Sequence, residues 1–157
     1  MANIVFNIAK GRVIEYYNRV KSNDPSASAL IVIPILTAGL ESDATLIDKD
    51  DLSAFLTGTT DEGTTNGWVR KTLTDADLVA LPAPVDASDY FEISLPTVVW
   101  TAVGAGGGAI SKLLVCYDND TGAGTDANII PLTMFDFAQT PSGSDIQMTT
   151  GAFFRAT

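Results

Sequence analysis

The sequence predicts a mainly β domain, a β-sandwich or jelly-roll-like fold carrying an N-terminal helix and one or two short helices. Three observations predict it. Segments rich in β-branched and aromatic residues recur closely from Tyr90 to Arg155. Clusters of Gly, Pro, Asp and Asn separate them. Helical patterning is confined to the chain before residue 82. At 157 residues, 46% of them hydrophobic, the chain suffices for one core and is short for two. Residues 1–157 are therefore expected as a single domain, with a basic helical segment over 1–21 and an acidic β-rich body over 22–157.

In chain order, residues 8–21 place Ala9, Val13, Tyr16 and Val20 on one helical face and Arg12, Glu15 and Arg19 on the other. That spacing predicts an amphipathic helix, weakened by Gly11 and by the strand-forming run Val13 to Tyr17. The turn cluster Ser22-Asn23-Asp24-Pro25 ends it, and Ser28 to Leu36 reads as a buried strand. Residues 37–67 read as polar loop apart from a short helix at Asp50 to Leu56, closed by Gly58. Trp68 to Leu73 is a candidate strand. Thr74 caps a short helix at Asp75 to Leu81, whose first-turn aspartates suit the helix dipole and which Pro82 and Pro84 end. Strands are then expected at 90–95, 98–103, 111–117, 129–135, 145–149 and 152–155, about eight in all, the number of a jelly roll. No repeat at a fixed period is present.

Composition excludes several functions. Histidine is absent, which removes Ser-His-Asp and Cys-His nucleophile systems and the commonest general base near neutral pH. The single cysteine, Cys116, allows no intramolecular disulfide and sits in the apolar strand Leu113 to Tyr117, as an inert core residue would. A net charge of −10 repels nucleic acid and anionic lipid, so neither is expected as a partner. Lys10 and Arg12 follow rather than precede the apolar start, the reverse of a secretory signal, so the chain is expected to stay in the cytosol. Its longest apolar run, Ala29 to Leu36, is far short of the ~20 residues of a membrane-spanning helix.

Three polar clusters invite a chemical reading. Asp118 to Asp126 offers three carboxylates, a hard-oxygen set of the type that holds Ca²⁺, but Ala123 and Ile129 replace the Gly and Glu that an EF-hand loop needs. A turn whose Asp and Asn side chains cap backbone amides is preferred, with Ca²⁺ as the alternative. Gly104 to Gly108 lacks the Lys-Ser/Thr ending of a phosphate loop and joins two β segments, so a strand connection is expected. Asp48, Asp50 and Asp51 read as a solvated cap before a helix. No catalytic, cofactor-binding or metal-binding residue is assigned, and no enzyme activity is expected.

The charge partition is more informative. Residues 1–21 carry a net +3 and residues 22–157 a net −13. The helix carrying Lys10, Arg12, Arg19 and Lys21 either lies on its own acidic body or docks on an acidic neighbour, and the two readings stand level. These four residues are the candidate interface.

The segments FNIAKGRVIEYYNRVKSNDPSASALIV, WVRKTLTDADL, VVWTAV, SKLLVCYDNDTGAGTDANIIPLT and DFAQTPSGSDIQMTTGAFFRAT resemble those of small proteins encoded in tailed-bacteriophage genomes, over most of the chain. The resemblance implies a virion structural protein, at this size a capsid decoration or cement protein. Such a protein bridges major capsid protein subunits on the outer surface of the capsid, is assembled in the bacterial host cytoplasm and forms a homo-oligomer, dimer or trimer. The alternative is a receptor- or carbohydrate-binding β-sandwich module of a phage tail or fibre, which would display aromatics in its loops. An enzyme would need a carboxylate pair such as Asp118 and Asp136 in a cleft.

Overall fold

The computed structural model describes residues 4–81 and 91–156. In chain order these form β1 (Ile4–Val5), α1 (Val13–Lys21), β2 (Ala29–Leu36), α2 (Asp43–Leu46), α3 (Leu52–Phe55), β3 (Lys71–Leu73), α4 (Asp75–Leu78), β4 (Phe91–Leu95), β5 (Val98–Trp100), β6 (Ile110–Asp118), β7 (Ile130–Gln139), β8 (Ile146–Met148) and β9 (Gly151–Ala156). The fold is mainly β and sandwich-like. A five-stranded antiparallel sheet of order β1-β7-β6-β2-β3 is accompanied by two antiparallel ribbons, β4-β9 and β5-β8.

The alternation along β2 explains the layering. Leu30 and Val32 join one buried cluster and Ala29, Ile31, Ile33 and Ile35 the other, so the strand is apolar on both faces and reads as an unbroken hydrophobic run. Its partner β6 does the same, with Leu113, Val115 and Tyr117 against Leu114 and Cys116. Both faces must then be covered. On one, α1 lays down Val13, Tyr16, Tyr17 and Val20, α4 contributes Leu78, and the ribbons contribute Ile93, Leu95, Trp100 and Phe153. On the other, Phe6, Leu46, Leu52 and Phe55 close the layer.

Pro34 within this central strand is accommodated by its orientation. The N and C=O of one strand residue point the same way, and the Pro34 carbonyl accepts from the Gly63 amide at 2.8 Å, on the side away from β6. The missing donor therefore faces the returning 61–63 segment, and the ladder with β6 is intact. Trp68 anchors that segment beside the sheet. Its indole N–H donates to the Gly108 carbonyl at 3.0 Å, and its ring meets Trp100 edge-on at 5.7 Å. A Cβ at Gly63 or Gly107 would stand 2.8 or 2.9 Å from the Trp68 side chain, so only glycine fits on either flank.

Several expectations are corrected. The N-terminal helix starts at Val13 rather than Ile8, because Gly11 takes φ +78° and separates it from a 3-10 turn at Asn7–Ala9. The strand expected from Trp68 begins only at Lys71, and that expected over 98–103 ends at Trp100, before Ala102 at φ +50°. The 37–67 stretch holds a second helix, α2, capped by the Ser42 hydroxyl at 3.3 Å from the Thr45 amide, besides α3, capped by Asp51 at 2.7 Å from the Ala54 amide. The cap of α4 is as expected, with the Asp77 carboxylate accepting the Thr74 amide at 2.8 Å. Strand β1 was not foreseen. Pro82, Pro84 and Tyr90 lie outside the described residues. Among the described residues, no helix is long and apolar enough to cross a membrane.

Thr133 is 1% exposed and its hydroxyl has no hydrogen-bond partner among the described residues. An unmet buried hydroxyl costs free energy, so Thr133→Val is expected to raise unfolding stability by about 1 kcal/mol. Urea unfolding, read as a higher midpoint at unchanged slope, checks this.

Candidate functional site

The helix α1 presents its polar side to an open groove of about 540 Å³ between it and the end of the β6–β7 hairpin. Arg12, Tyr16 and Arg19 form one wall, Asn119 and Asn128 the other, with Tyr117 between them. The helix positions these groups by its period, since Val13, Tyr16, Tyr17 and Val20 are drawn into the core and Arg12, Glu15 and Arg19 are left in solvent. Glu15 accepts from both arginines at 3.1 Å, one three residues before it and one four after. All three side chains remain between two fifths and one half exposed, so these pairs organise the surface more than they stabilise it. The hydrogen bond from Arg12 holds the Glu15 carboxyl below the usual range, and Arg12 is raised in turn.

Aromatic packing fixes the groove. Tyr16 and Tyr117 stack at 4.6 Å, and the Arg12 guanidinium lies 4.6 Å from the Tyr16 ring centre. Burial pushes the Tyr117 phenol up, against the opposing effect of Arg19. Its hydroxyl is buried with the Arg19 guanidinium facing it, and among the described residues it reaches no hydrogen-bond acceptor.

The four residues expected at an interface thus separate. Arg12 and Arg19 share the groove and Glu15. Lys10 is exposed in the turn before α1. Lys21 is half-buried and donates to the Leu81 carbonyl at 3.2 Å, tying the end of α1 to the chain beyond α4. Sequence reasoning placed Tyr16 in the core and gave Tyr117 no role. The pairing of Glu15 with both arginines was legible in its spacing, whereas the approach of the 119–130 connection, a hundred residues away, had no local signal.

A second polar cluster surrounds Arg70. Its guanidinium donates to Glu62 at 2.7 Å and to Asp126 at 2.6 Å, clamping the 119–129 connection to the chain beside β2. Hydrogen bonds with Asp126 and Glu62 raise Arg70, and Arg70 lowers Asp126. The loop carboxylates are thereby engaged: Asp126 by Arg70, Asp118 by the Asp120 amide at 3.0 Å and Asp120 by the Gly122 amide at 3.0 Å. Among the described residues, no group of three or more His, Cys, Asp or Glu side chains gathers as a metal site. Asp118 and Asp136 do not share a cleft. Asp136 lies opposite Lys112, six residues along β6 from Asp118, or about 20 Å of strand. Its carboxylate meets the Lys112 ammonium at 3.1 Å. Cys116 is fully buried, and burial pushes its thiol well up. Residues 104–108 form a 3-10 turn between β5 and β6 that packs on Trp68. A smaller apolar pocket of about 260 Å³ lies among Leu95, Phe135, Phe137, Met148 and Phe153.

Comparison with known proteins finds no matching family model, no matching curated protein and no matching solved structure.

Two outcomes follow from the Arg70 cluster. Because the loop carboxylates are held by amides and Arg70, neither Ca²⁺ nor EDTA should change the melting temperature, since a ligand of the native state would raise it by mass action. A shift of several degrees on adding Ca²⁺ would restore the cation reading of this loop. Arg70→Met leaves Glu62, 9% exposed, without its counter-ion and should lose about 2 kcal/mol at neutral pH, a buried-pair cost discounted for the exposure of Arg70 and Asp126. The depressed Asp126 value gives a stability contribution fully present above its unfolded pKa of about 3.9 and lost as pH falls through the lower folded value. Arg70→Met should therefore flatten the acid limb of the stability curve, which urea unfolding at stepped pH measures.

Proposed function

We propose that this chain is a non-enzymatic structural protein of a bacteriophage capsid. It decorates the outer surface of the head and stabilises the shell by bridging major capsid protein subunits, as a homo-oligomer assembled in the bacterial host cytoplasm. The observation that carries this reading is the form of the charged site. Arg12, Tyr16 and Arg19 line an open groove, with Glu15 pairing both arginines beside it, a geometry suited to contact with another protein surface rather than enclosure of a small molecule. The sequence resemblance to small tailed-phage proteins supports the setting.

Such a protein acts through binding free energy. Surface buried across joints between shell subunits favours the closed shell by mass action and opposes outward pressure. The surface chemistry suits a particle filled with DNA, because a net charge of −10 keeps the protein off packaged nucleic acid and resists non-specific association. A tail-fibre carbohydrate module would display its tryptophans. Here Trp68 and Trp100 are 2% and 0% exposed, and their N–H groups donate to Gly108 and Val69.

Purified protein is expected to co-sediment with intact tailless capsids, to saturate at a fixed ratio to the major capsid protein and to raise the temperature at which the shell opens. Association with isolated tails and none with capsids would overturn the reading.

A further inference from the structure

We propose that the groove beside α1 is a self-complementary docking surface for a second copy of this chain, two copies pairing about a two-fold axis with Arg12 and Arg19 of each against Asp24 and Asp120 of the other. The inference deepens the homo-oligomer part of the capsid reading and rests on it for its biological setting. Its test is made without capsids, so the two can fail separately.

The cationic half of the surface is Arg12 and Arg19. One carboxylate, Glu15, is shared between two guanidiniums, which leaves the group positive and most of its N–H donors open to solvent. The anionic half adjoins it. Asp24 follows α1 directly, and its amide donates to the Arg19 carbonyl at 2.9 Å. Asp120 lies beside the groove-lining Asn119, on a turn joined to that of Asp24 by the Thr121 amide, which donates to the Ala27 carbonyl at 3.0 Å. Both aspartates are exposed, and among the described residues neither makes an ion pair within its own chain.

A second, independent observation points to a ligand. Tyr117 lines the groove, is 3% exposed, and its hydroxyl, faced by the Arg19 guanidinium, reaches no hydrogen-bond acceptor among the described residues. Buried phenols are normally paired, so an unmet donor beneath the Arg19 side chain marks a place that an acceptor brought from outside completes as that side chain shifts. A carboxylate fits both it and the flanking guanidiniums. The chain's own body, at a net −13, is an abundant source of that group.

Symmetry selects the arrangement. A patch bearing opposite charges side by side becomes complementary to itself after a two-fold rotation, which places each cationic strip on the other copy's anionic rim and repeats every contact twice. Closure at two copies also avoids the open chains that a head-to-tail contact would build.

The test is reciprocal charge reversal read by sedimentation equilibrium at low salt. The wild type is expected to be a dimer that weakens as salt rises. Arg12→Glu with Arg19→Glu, and separately Asp24→Arg with Asp120→Arg, should each weaken self-association at least about tenfold, and an equimolar mixture of the two should restore it. Circular-dichroism melts confirm folding, and if a reversal variant fails to fold, Arg12→Gln with Arg19→Gln and Asp24→Asn with Asp120→Asn carry the same comparison through the loss on each side. A monomeric wild type at about 100 µM, dimers unaffected by either variant, or folded reversal variants whose mixture stays monomeric would each overturn the proposal. A dimer that ignores capsids upholds it and sinks the capsid reading; a capsid-binding monomer sinks it together with the homo-oligomer part of that reading and leaves capsid decoration standing.

Discussion

The antiparallel pair β2–β6, buried on both faces, is the constraint on which the rest of the molecule depends. A strand with water on one face can leave half of its side chains polar, but β2 cannot, and the run from Ala29 to Ile35 is apolar throughout. Two covering layers are then obligatory. One comes from α1, α4 and the two ribbons, the other from Phe6 and the helices α2 and α3. The long polar stretch between β2 and β3 exists to cross the sheet's second face, and it returns along the edge as the Leu36 amide donates to the Asp61 carbonyl at 3.0 Å and Gly63 to Pro34.

The same constraint decides where function can reside. With both faces covered, the described polar groups that are not solvated singly serve as clamps. Arg70 joins Glu62 to Asp126, and Lys112 joins Asp43 on α2 to Asp136 on β7 at 2.9 and 3.1 Å. In Lys112, burial would lower the ammonium and the two carboxylates outweigh it, so its value rises. What remains outside is the polar side of α1, where one glutamate serves two arginines. There the rigid scaffold presents charge instead of consuming it.

The legible part of the fold was that encoded within a few residues. The apolar run of β2, the Asp51 and Thr74 caps and the turn at Ser22 to Pro25 are local signals, and each element starts where they put it within a residue or two, although α4 ends at Leu78, three residues before the expected Leu81. The illegible part was non-local or conformational. Gly11 could have been tolerated inside a longer helix, and only its left-handed conformation separates the 3-10 turn from α1. The two-residue β1 has no pattern of its own and exists because Ile4 and Val5 pair with Met134 and Thr133. For the site, the lopsided charge pointed to α1 but not to which cations stay free: Lys21 turns to the Leu81 carbonyl, whose approach depends on how α4 packs. The Tyr117 hydroxyl could be recognised only once β6 was seen to end beneath the arginines.

The central claim is that the protein works through an open surface rather than through an enclosed pocket. Hydrogen exchange of backbone amides, compared between the free protein and the protein on tailless capsids, tests it most directly. The account predicts added protection in α1, in the turn after it and in the 119–129 connection, with the amides around Phe135, Met148 and Phe153 unchanged. Protection confined to that apolar pocket, with the α1 groove exchanging as in the free protein, would contradict it.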